Sequence, residues 1–511
     1  MKKIALTLVF LLITQLFFGQ EKLSDEKVQI GLPYRVVDAH QKQYFTYKNL
    51  VIAVKIDGKK FILQTLNTDK LTLEKIKVYE DFPRGFRSVR LKQLNDKVFL
   101  FYSLWDGAKE MEQIFVREIN PAECSFIGKG KRIVAVKGKV VGGYSFMASF
   151  DKSKLFIQYR RKPKFRDDSK SKDVIGMWVF DDNMEEIWGG DIEMAYTEEE
   201  MDNLEYTINS KGDVFLLANV RNMGKKPISS ELRLLKFSEG NAKASEKVIV
   251  FPDGKSGSNL SFFEDAGGNI LLTGYSGGTE VAKVNLGKGG EEIQFDYYDI
   301  PLDVINQNLK KRKVKKNKKR KSNNKTVGVS NLVPRNFYVH SDGSMIITGE
   351  QYFSVTTTST DANGNTTSRT TYYYHDILVT KINKDGSLAW MKKLPKRQSG
   401  GKSQGSMSFK MIEGENDLYF VYMDNIKNLA LGTIEEPENH RDGKGGFLTA
   451  YKVDYATGES KRISLLDSRN IKEMKMYQFT LSRISSVAPD EFVFEVYKRK
   501  KEDVLIKVEL K

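Results

Sequence analysis

The sequence predicts an all-β fold, an eight-bladed β-propeller of four-stranded antiparallel blades closed by a strand near the N-terminus. Three observations lead there. A polar turn followed by a strong apolar run recurs eight times, the runs starting at Leu50, Val98, Leu155, Val214, Ile270, Met345, Leu418 and Phe492. Each run stands within a group of four short segments rich in β-branched and aromatic residues and punctuated by Gly, Asp and Asn. The last group has only three segments, YQFTLSRIS, EFVFEVYK and DVLIKVEL, while a spare one, Val28 to Val37, precedes the first group. A seven-bladed ring is the alternative count. A β-sandwich ranks below both, because it does not require eight equivalent units.

Taken in order, the chain opens with Lys2 and Lys3 and an almost unbroken apolar run from Ile4 to Phe18, followed by Gly19 and Gln20. This is the pattern of a secretory signal peptide, residues 1–19, with cleavage after Gly19 or Gln20. A membrane anchor needs about 20 apolar residues, and this run is shorter. No Cys follows it, so a lipid anchor is not expected. The expected product is an exported monomer, periplasmic or extracellular, with no transmembrane segment after signal removal. One cysteine in 511 residues, Cys124, rules out an intramolecular disulfide and a cysteine-based zinc cluster. The four histidines, His40, His340, His375 and His440, show no metal-hydrolase spacing.

Residues 20–511 read as one propeller domain. The repeats are spaced 48 to 75 residues apart, beyond the roughly 40–50 residues of common propeller repeats, so the loops carry insertions. If the strands of a blade are a to d, they alternate in direction. The a–b and c–d turns then lie on one face, and the b–c and d–a loops on the other. The a–b and c–d turns are short: KGD, GGN, SDGS, KDGS. The long excursions at residues 160–172, 301–333, 354–374 and 424–445 are all b–c or d–a connections, so they rise from one face. That face is the candidate functional surface, because function concentrates on loops held by a rigid scaffold. Ring closure follows from the same logic. An open ring leaves bare strand edges, so Val28–Val37 is expected to pair with Asp503–Leu510 as the fourth strand of the last blade.

Net charge is +16, or +14 without Lys2 and Lys3, and eleven cations lie between Lys310 and Lys325, so the remainder carries about +3. The basic character is local. The segment KKRKVKKNKKRKSNNK has one apolar residue, Val314, and is expected to be disordered within an insertion at about residues 306–331. Its candidate polyanion-binding residues are Lys310, Lys311, Arg312, Lys313, Lys315, Lys316, Lys318, Lys319, Arg320 and Lys321. The expected partners are an anionic glycan or lipopolysaccharide, or an envelope protein; the bland reading is a solvated loop.

Between Tyr352 and Tyr374, two Thr-rich arms flank Asn363-Gly364, predicting a β-hairpin finger over about residues 353–375 with a type I′ turn. Tyr372, Tyr373 and Tyr374 at its base are candidates for stacking on sugar rings, although strand alternation must bury at least one of them. Gly274-Tyr275-Ser276-Gly277-Gly278 matches the nucleophile-elbow pattern but lies between two strands, so it reads as a turn. Thr197 with Glu200 predicts a short helical turn. Trp188 and Trp390, equivalent residues of two fourth strands, read as packing between blades.

The finger followed by YYYHDILVTKINKDGSLAWMKKLPKRQ, residues 352–398, resembles a family of uncharacterised secreted β-propeller-like proteins of Gram-negative bacteria. The motif I(N/D)xDGxxxWxKxxP is also similar to repeats of quinoprotein-like propellers, whose cofactor-binding features are not repeated here. The resemblance implies a propeller and an envelope setting and transfers no catalytic residue. The reading is a secreted binding or scaffold module, more an adaptor than an enzyme, with no catalytic, cofactor-binding or metal-binding residue assigned and no cofactor expected. The alternative is a glycan-processing hydrolase or lyase with an acidic site at the propeller mouth.

Overall fold

The computed structural model describes residues 21–22, 27–224, 227–240, 243–252, 255, 258–401, 405–431, 435–467, 480–498 and 501–510. The expected signal peptide lies outside them. No helix among the described residues is long and apolar enough to cross a membrane.

The second strands explain the architecture. Leu50–Asp57, Val214–Asn222, Ile270–Ser276 and Asp417–Asp424 are buried along nearly their whole length, on both faces. A strand buried on both sides reads as a continuous apolar run, and it needs a neighbouring sheet on each side. The chain supplies them as eight antiparallel sheets in series. Sheet 1 runs from Gln41–Tyr47 to Thr72–Tyr79, sheet 2 from Arg87–Leu94 to Ser125–Lys137, and sheet 3 from Val140–Ala148 to Glu186–Thr197. Sheet 4 runs from Met201–Ile208 to Ser245–Ile249 and sheet 5 from Ser258–Glu264 to Gln294–Asp299. Sheet 6 runs from Leu332–Val339 to Leu388–Leu394 and sheet 7 from Lys410–Glu413 to Ser460–Asp467. Sheet 8 begins at Ile484–Ala488 and its third strand is Glu502–Glu509.

Eight apolar clusters fill the spaces between consecutive sheets, and one of them joins Val51 and Leu66 of sheet 1 to Val493 and Leu505 of sheet 8. The fold is an eight-bladed β-propeller. The fourth strand of sheet 8 comes from the other end of the chain. Val28–Ile30 pairs antiparallel with Val508–Ile506, and Tyr34–Arg35 with Asp503–Glu502. Between them the strand breaks at Gly31, Leu32 and Pro33. Gly31 passes so close to sheet 1 that a Cβ there would lie 2.1 Å from the Leu71 carbonyl oxygen.

Several local expectations change. The Asn-Gly tip of the finger is a three-residue loop, Ala362–Gly364, rather than a two-residue type I′ turn. Asp361 N–H donates to the Asn365 carbonyl (3.0 Å), Gly364 takes φ +81°, and the Asp361 carboxylate accepts from the N–H groups of Asn363 and Asn365, both at 2.9 Å. With that carboxylate bracing the turn, one positive-φ residue suffices. Asn383–Ser387 repeats the backbone pattern, with Gly386 at φ +88°, but there the Asp385 carboxylate accepts from Ser387 N–H and Oγ. Thr197 and Glu200 do make capping-box hydrogen bonds, Thr197 N–H and Oγ1 both donating to Glu200 Oε2, but they close a turn between two strands rather than a helix. The largest difference is the basic segment: Lys311–Ser322 is a helix.

Candidate polyanion-binding face

The insertion between sheets 5 and 6 is anchored at both ends. The short helix Leu302–Asn306 buries Val304 and Ile305, and Val329 is buried on the return; all three belong to the apolar cluster between those sheets. Lys393 Nζ, on the last strand of sheet 6, donates to the Ile305 carbonyl at 3.0 Å. Asn317 Nδ2 donates to Asn306 Oδ1 at 2.8 Å.

Lys311–Ser322 spans the gap between these anchors. Lys and Arg have good helix propensity, and Lys319, Arg320 and Lys321 in the last turn complement the helix dipole. Repulsion between cations one turn apart opposes the helix, and no side chain caps its N-terminus. Sequence reasoning missed it because the residues that hold it lie outside it. Val314 and Asn317, three positions apart, are half-buried and mark the inward side. Helical spacing places Arg312, Lys315, Lys316 and Lys319 on the opposite side, at i, i+3, i+4 and i+7, with about 5–6 Å between successive neighbours. All four are exposed. Among the described residues, the one ion pair made by the candidate cations is Lys310 with Glu436, 3.5 Å, at the base.

Glu436 draws three long segments together. It also accepts from Arg397 Nη1 at 2.8 Å, and the neighbouring Glu435 carbonyl accepts from Asn308 Nδ2 at 3.1 Å. The insertion carrying the basic helix, the segment after sheet 6 and the 424–445 loop of sheet 7 are therefore fastened to one another. Gln398–Gly400 adds a short strand beside Tyr372–Tyr374 at the root of the finger, and His440–Arg441 pairs with it in parallel.

The three tyrosines do not form one platform. Tyr374 is buried and packs on Tyr352 (4.9 Å between centroids), with the Arg335 guanidinium over both rings. Tyr372 lies on the same side of the ribbon, parallel to Tyr352, whereas Tyr373 lies on the other, stacked on Phe353 at 4.8 Å. Tyr374 and Tyr373 face their cross-strand partners Tyr352 and Phe353, and Tyr372 packs diagonally on Tyr352, so these rings brace the finger. Above them Thr356–Thr370, Thr358–Ser368 and Thr360–Thr366 pair their hydroxyls across the ribbon.

One cluster that sequence reasoning did not find contains a serine, a histidine and an aspartate. Ser406 Oγ lies 3.3 Å from His440 Nε2 and donates to Asp442 Oδ1 at 2.7 Å. Nucleophilic catalysis requires the carboxylate on the far imidazole nitrogen, orienting the base. Here it binds the serine itself. Burial pushes the His440 pKa down to about 4, so its imidazole is neutral at pH 7. The cluster clasps Ser406 to residues 440–442. His375 is also pushed down to about 4 by burial and Asp376 is pushed up by burial; among the described residues no nucleophile is bonded to either, and Asp376 faces Lys393 at 3.6 Å. Ser276 ends a strand, and its carbonyl accepts from Thr279 N–H in a glycine turn, as its sequence context requires. Trp188 and Trp390 each give an indole N–H to a backbone carbonyl of the next sheet, Gly212 and Tyr455. Among the described residues no group of three or more His, Cys, Asp or Glu side chains is placed to hold a metal.

No protein-family model matches the chain, and no curated protein matches it. Solved structures with a similar course include the WD40 domain of SCAP from fission yeast, at 10% identity and TM-score 0.38, covering 95% of this chain and 99% of that one. The β-propeller domain of the Trilobed protease from Pyrococcus furiosus aligns at 12% identity and TM-score 0.35 over 83% of this chain and 96% of that one. A prolyl endopeptidase aligns at 11% identity and TM-score 0.39 over 95% of this chain, which spans 55% of that enzyme. The architecture of this chain stands on its own sheets and registers.

Proposed function

We propose that the protein is a non-catalytic binding module of the cell envelope whose long-loop face grips polyanions through the helix Lys311–Ser322. One observation carries the reading: ten cations on an anchored helix and its N-terminal flank, of which Lys310 alone has an ion-pair partner among the described residues. An unneutralised, fixed array of this kind attracts phosphorylated or sulfated polymers and releases their counterions on binding. The partners that fit are an anionic glycan or the phosphates of lipopolysaccharide.

The test is retention on a heparin column at about 0.15 M salt, where the Debye length is about 8 Å. Changing Arg312, Lys315, Lys316 and Lys319 to Gln should keep the helix and the melting temperature while abolishing most retention. The salt dependence of affinity should flatten in the same variant. Equal retention of variant and parent removes the polyanion reading and leaves a solvated helix. Deleting residues 310–325 is the harsher version, because Val304, Ile305 and Val329 remain to hold the flanks.

A further inference from the structure

The junction where the ring closes is filled differently from the other seven. Among the described residues its apolar cluster has five fully buried members, Val51, Leu66, Leu71, Val493 and Leu505. The junction between sheets 7 and 8 has seventeen. The unfilled part of the closing junction is a cleft of about 1080 Å³, bounded by sheet 1 on one side and by sheet 8 and the closing segment on the other.

Its two walls differ in chemistry. Ile62, Leu73, Ile76 and Val78 of sheet 1 form an apolar wall, and two of them are unusually open to water: Ile76 is 49% exposed and Val78 54%. The charged lining is Arg35, Arg483 and Lys501 from the closing segment and sheet 8 together with Lys42 from the first strand of sheet 1, four cations against the two carboxylates of Asp38 and Asp57. Lys42 has Asp503 at 3.9 Å. Arg483 has no ion-pair partner among the described residues, and its Nη1 is shielded from solvent with no hydrogen-bond acceptor. A shielded guanidinium nitrogen without an acceptor forgoes a charge-assisted hydrogen bond. An exposed apolar strip beside it forgoes burial.

We propose that this cleft binds an anionic amphiphile: a carboxylate or phosphate head seated on Arg483 and its neighbouring cations, with an alkyl chain along Leu73, Ile76 and Val78. The five-residue step from Leu73 to Val78 spans about 16 Å of strand, the length of a chain of about a dozen carbons. The volume suits a small amphiphile, since ligand sites commonly measure about 300–1,000 Å³. The site exists only in the closed ring, because Arg35 arrives on the closing segment. It is separate from the basic helix and independent of that helix's function.

Calorimetric titration of the whole protein with dodecanoate and with dodecyl phosphate, each below its micelle-forming concentration, tests this. Saturable one-to-one binding of either is expected, and the tighter of the two identifies the head group. Acetate and inorganic phosphate should bind at least tenfold more weakly, as should dodecanol, which lacks the charge. Arg483→Gln and Val78→Asp should each lower affinity tenfold or more without changing the melting temperature. The four-Gln variant of the basic helix should bind as the parent does. The proposal is overturned if neither amphiphile binds saturably, or if inorganic phosphate binds as tightly as dodecyl phosphate. It is also overturned if Arg483→Gln and Val78→Asp leave affinity unchanged, or if the basic-helix variant is the one that loses binding.

Discussion

Two buried lysine–glutamate pairs stand in this ring, assembled from opposite kinds of chain neighbourhood. In sheet 6, Lys396 meets Glu350 at 2.7 Å, 46 residues away; at the closure, Lys55 meets Glu495 at 2.5 Å, 440 residues away. All four side chains are completely buried. The local pair is fully furnished. Lys396 Nζ also donates to the Tyr374 carbonyl and Gln398 Oε1, both at 3.0 Å, and Glu350 Oε2 accepts from Arg335 and Ser408, both at 2.9 Å. The closing pair is tied to more distant parts of the chain. Glu495 accepts from Tyr34 at 2.7 Å and Tyr44 at 2.5 Å, and Lys55 also reaches Asp503 at 3.3 Å.

Burial works against the Glu495 carboxylate, but Lys55 and the donors around it hold its pKa below the ordinary value. Asp503 is pushed the other way, by burial and then by Glu495, and its Oδ1 has no partner. The difference teaches how this propeller closes. Where the chain doubles back locally, a denser polar network, with Arg335 Nη2 still lacking an acceptor, sits beside a large apolar cluster. Where its two ends must meet, apolar filling is thin, and a charge network of Lys42, Lys55, Glu495 and Asp503 joins the first sheet to the last.

The largest test removes the closing strand. Deleting residues 28–37 strips Tyr34 from Glu495 and leaves Glu502–Glu509 as a bare edge, so aggregation or a collapse of the melting temperature is expected by size exclusion and calorimetry. A monodisperse protein with an unchanged melting temperature would show that closure does not depend on this strand.

Next, Glu350→Ala should destabilise by about 3–5 kcal/mol, because it strands the buried Lys396 ammonium, and Glu495→Ala should cost less, because Lys55 keeps Asp503 at 3.3 Å. Hydrogen exchange should separate them. Protection at Val28–Arg35 should vanish in Glu495→Ala and persist in Glu350→Ala. Equal protection in the two variants would erase the distinction between the junctions.

The junctions should also part in acid. The His440 pKa is depressed to about 4 by burial, so the unfolded state takes up the proton first. Its contribution is complete above about pH 6.5 and is lost as pH falls toward 4, to a total of roughly 3 kcal/mol. Glu495, depressed from a carboxylate's ordinary value, contributes above about pH 4.3 and loses that only as pH falls through its lower folded pKa, with Asp503 offsetting part of it. On acidification, exchange should therefore accelerate first near residues 440–442 and later at the closure. His375 is depressed to about 4 as well, so His440→Gln should remove about half of the upper window and the double change with His375→Gln should flatten it; an unchanged slope in His440→Gln would show that His440 is not a source.

The smallest effect is Gly31→Ala. The new Cβ meets the Leu71 carbonyl at 2.1 Å, so a cost of about 1–3 kcal/mol is expected from the forced shift. Gly401→Ala, with nothing within 4 Å of its Cβ, is the control and should stay within about 0.5 kcal/mol. Equal melting temperatures would mean that the closing segment can move away from sheet 1 freely.

What the sequence by itself determined is the repeat: eight buried second strands, their turns, the finger, and the N-terminal run that completes the last sheet. These are legible because a strand buried on both faces must be apolar throughout, and because a group of three strands next to a spare fourth has an economical solution in a ring. Tertiary structure alone decided the rest. Lys311–Ser322 carries no helix-packing pattern, and its order comes from Val304, Ile305 and Val329 at its flanks. Tyr372, Tyr373 and Tyr374 look alike in sequence, yet the ribbon sends Tyr373 to one side and the other two to the opposite side. The pairing of Lys55 with Glu495, and the cleft beside it, depend on residues more than 400 positions apart. Local periodicity reports how each strand is buried, but which charge meets which is settled only when the last sheet packs against the first.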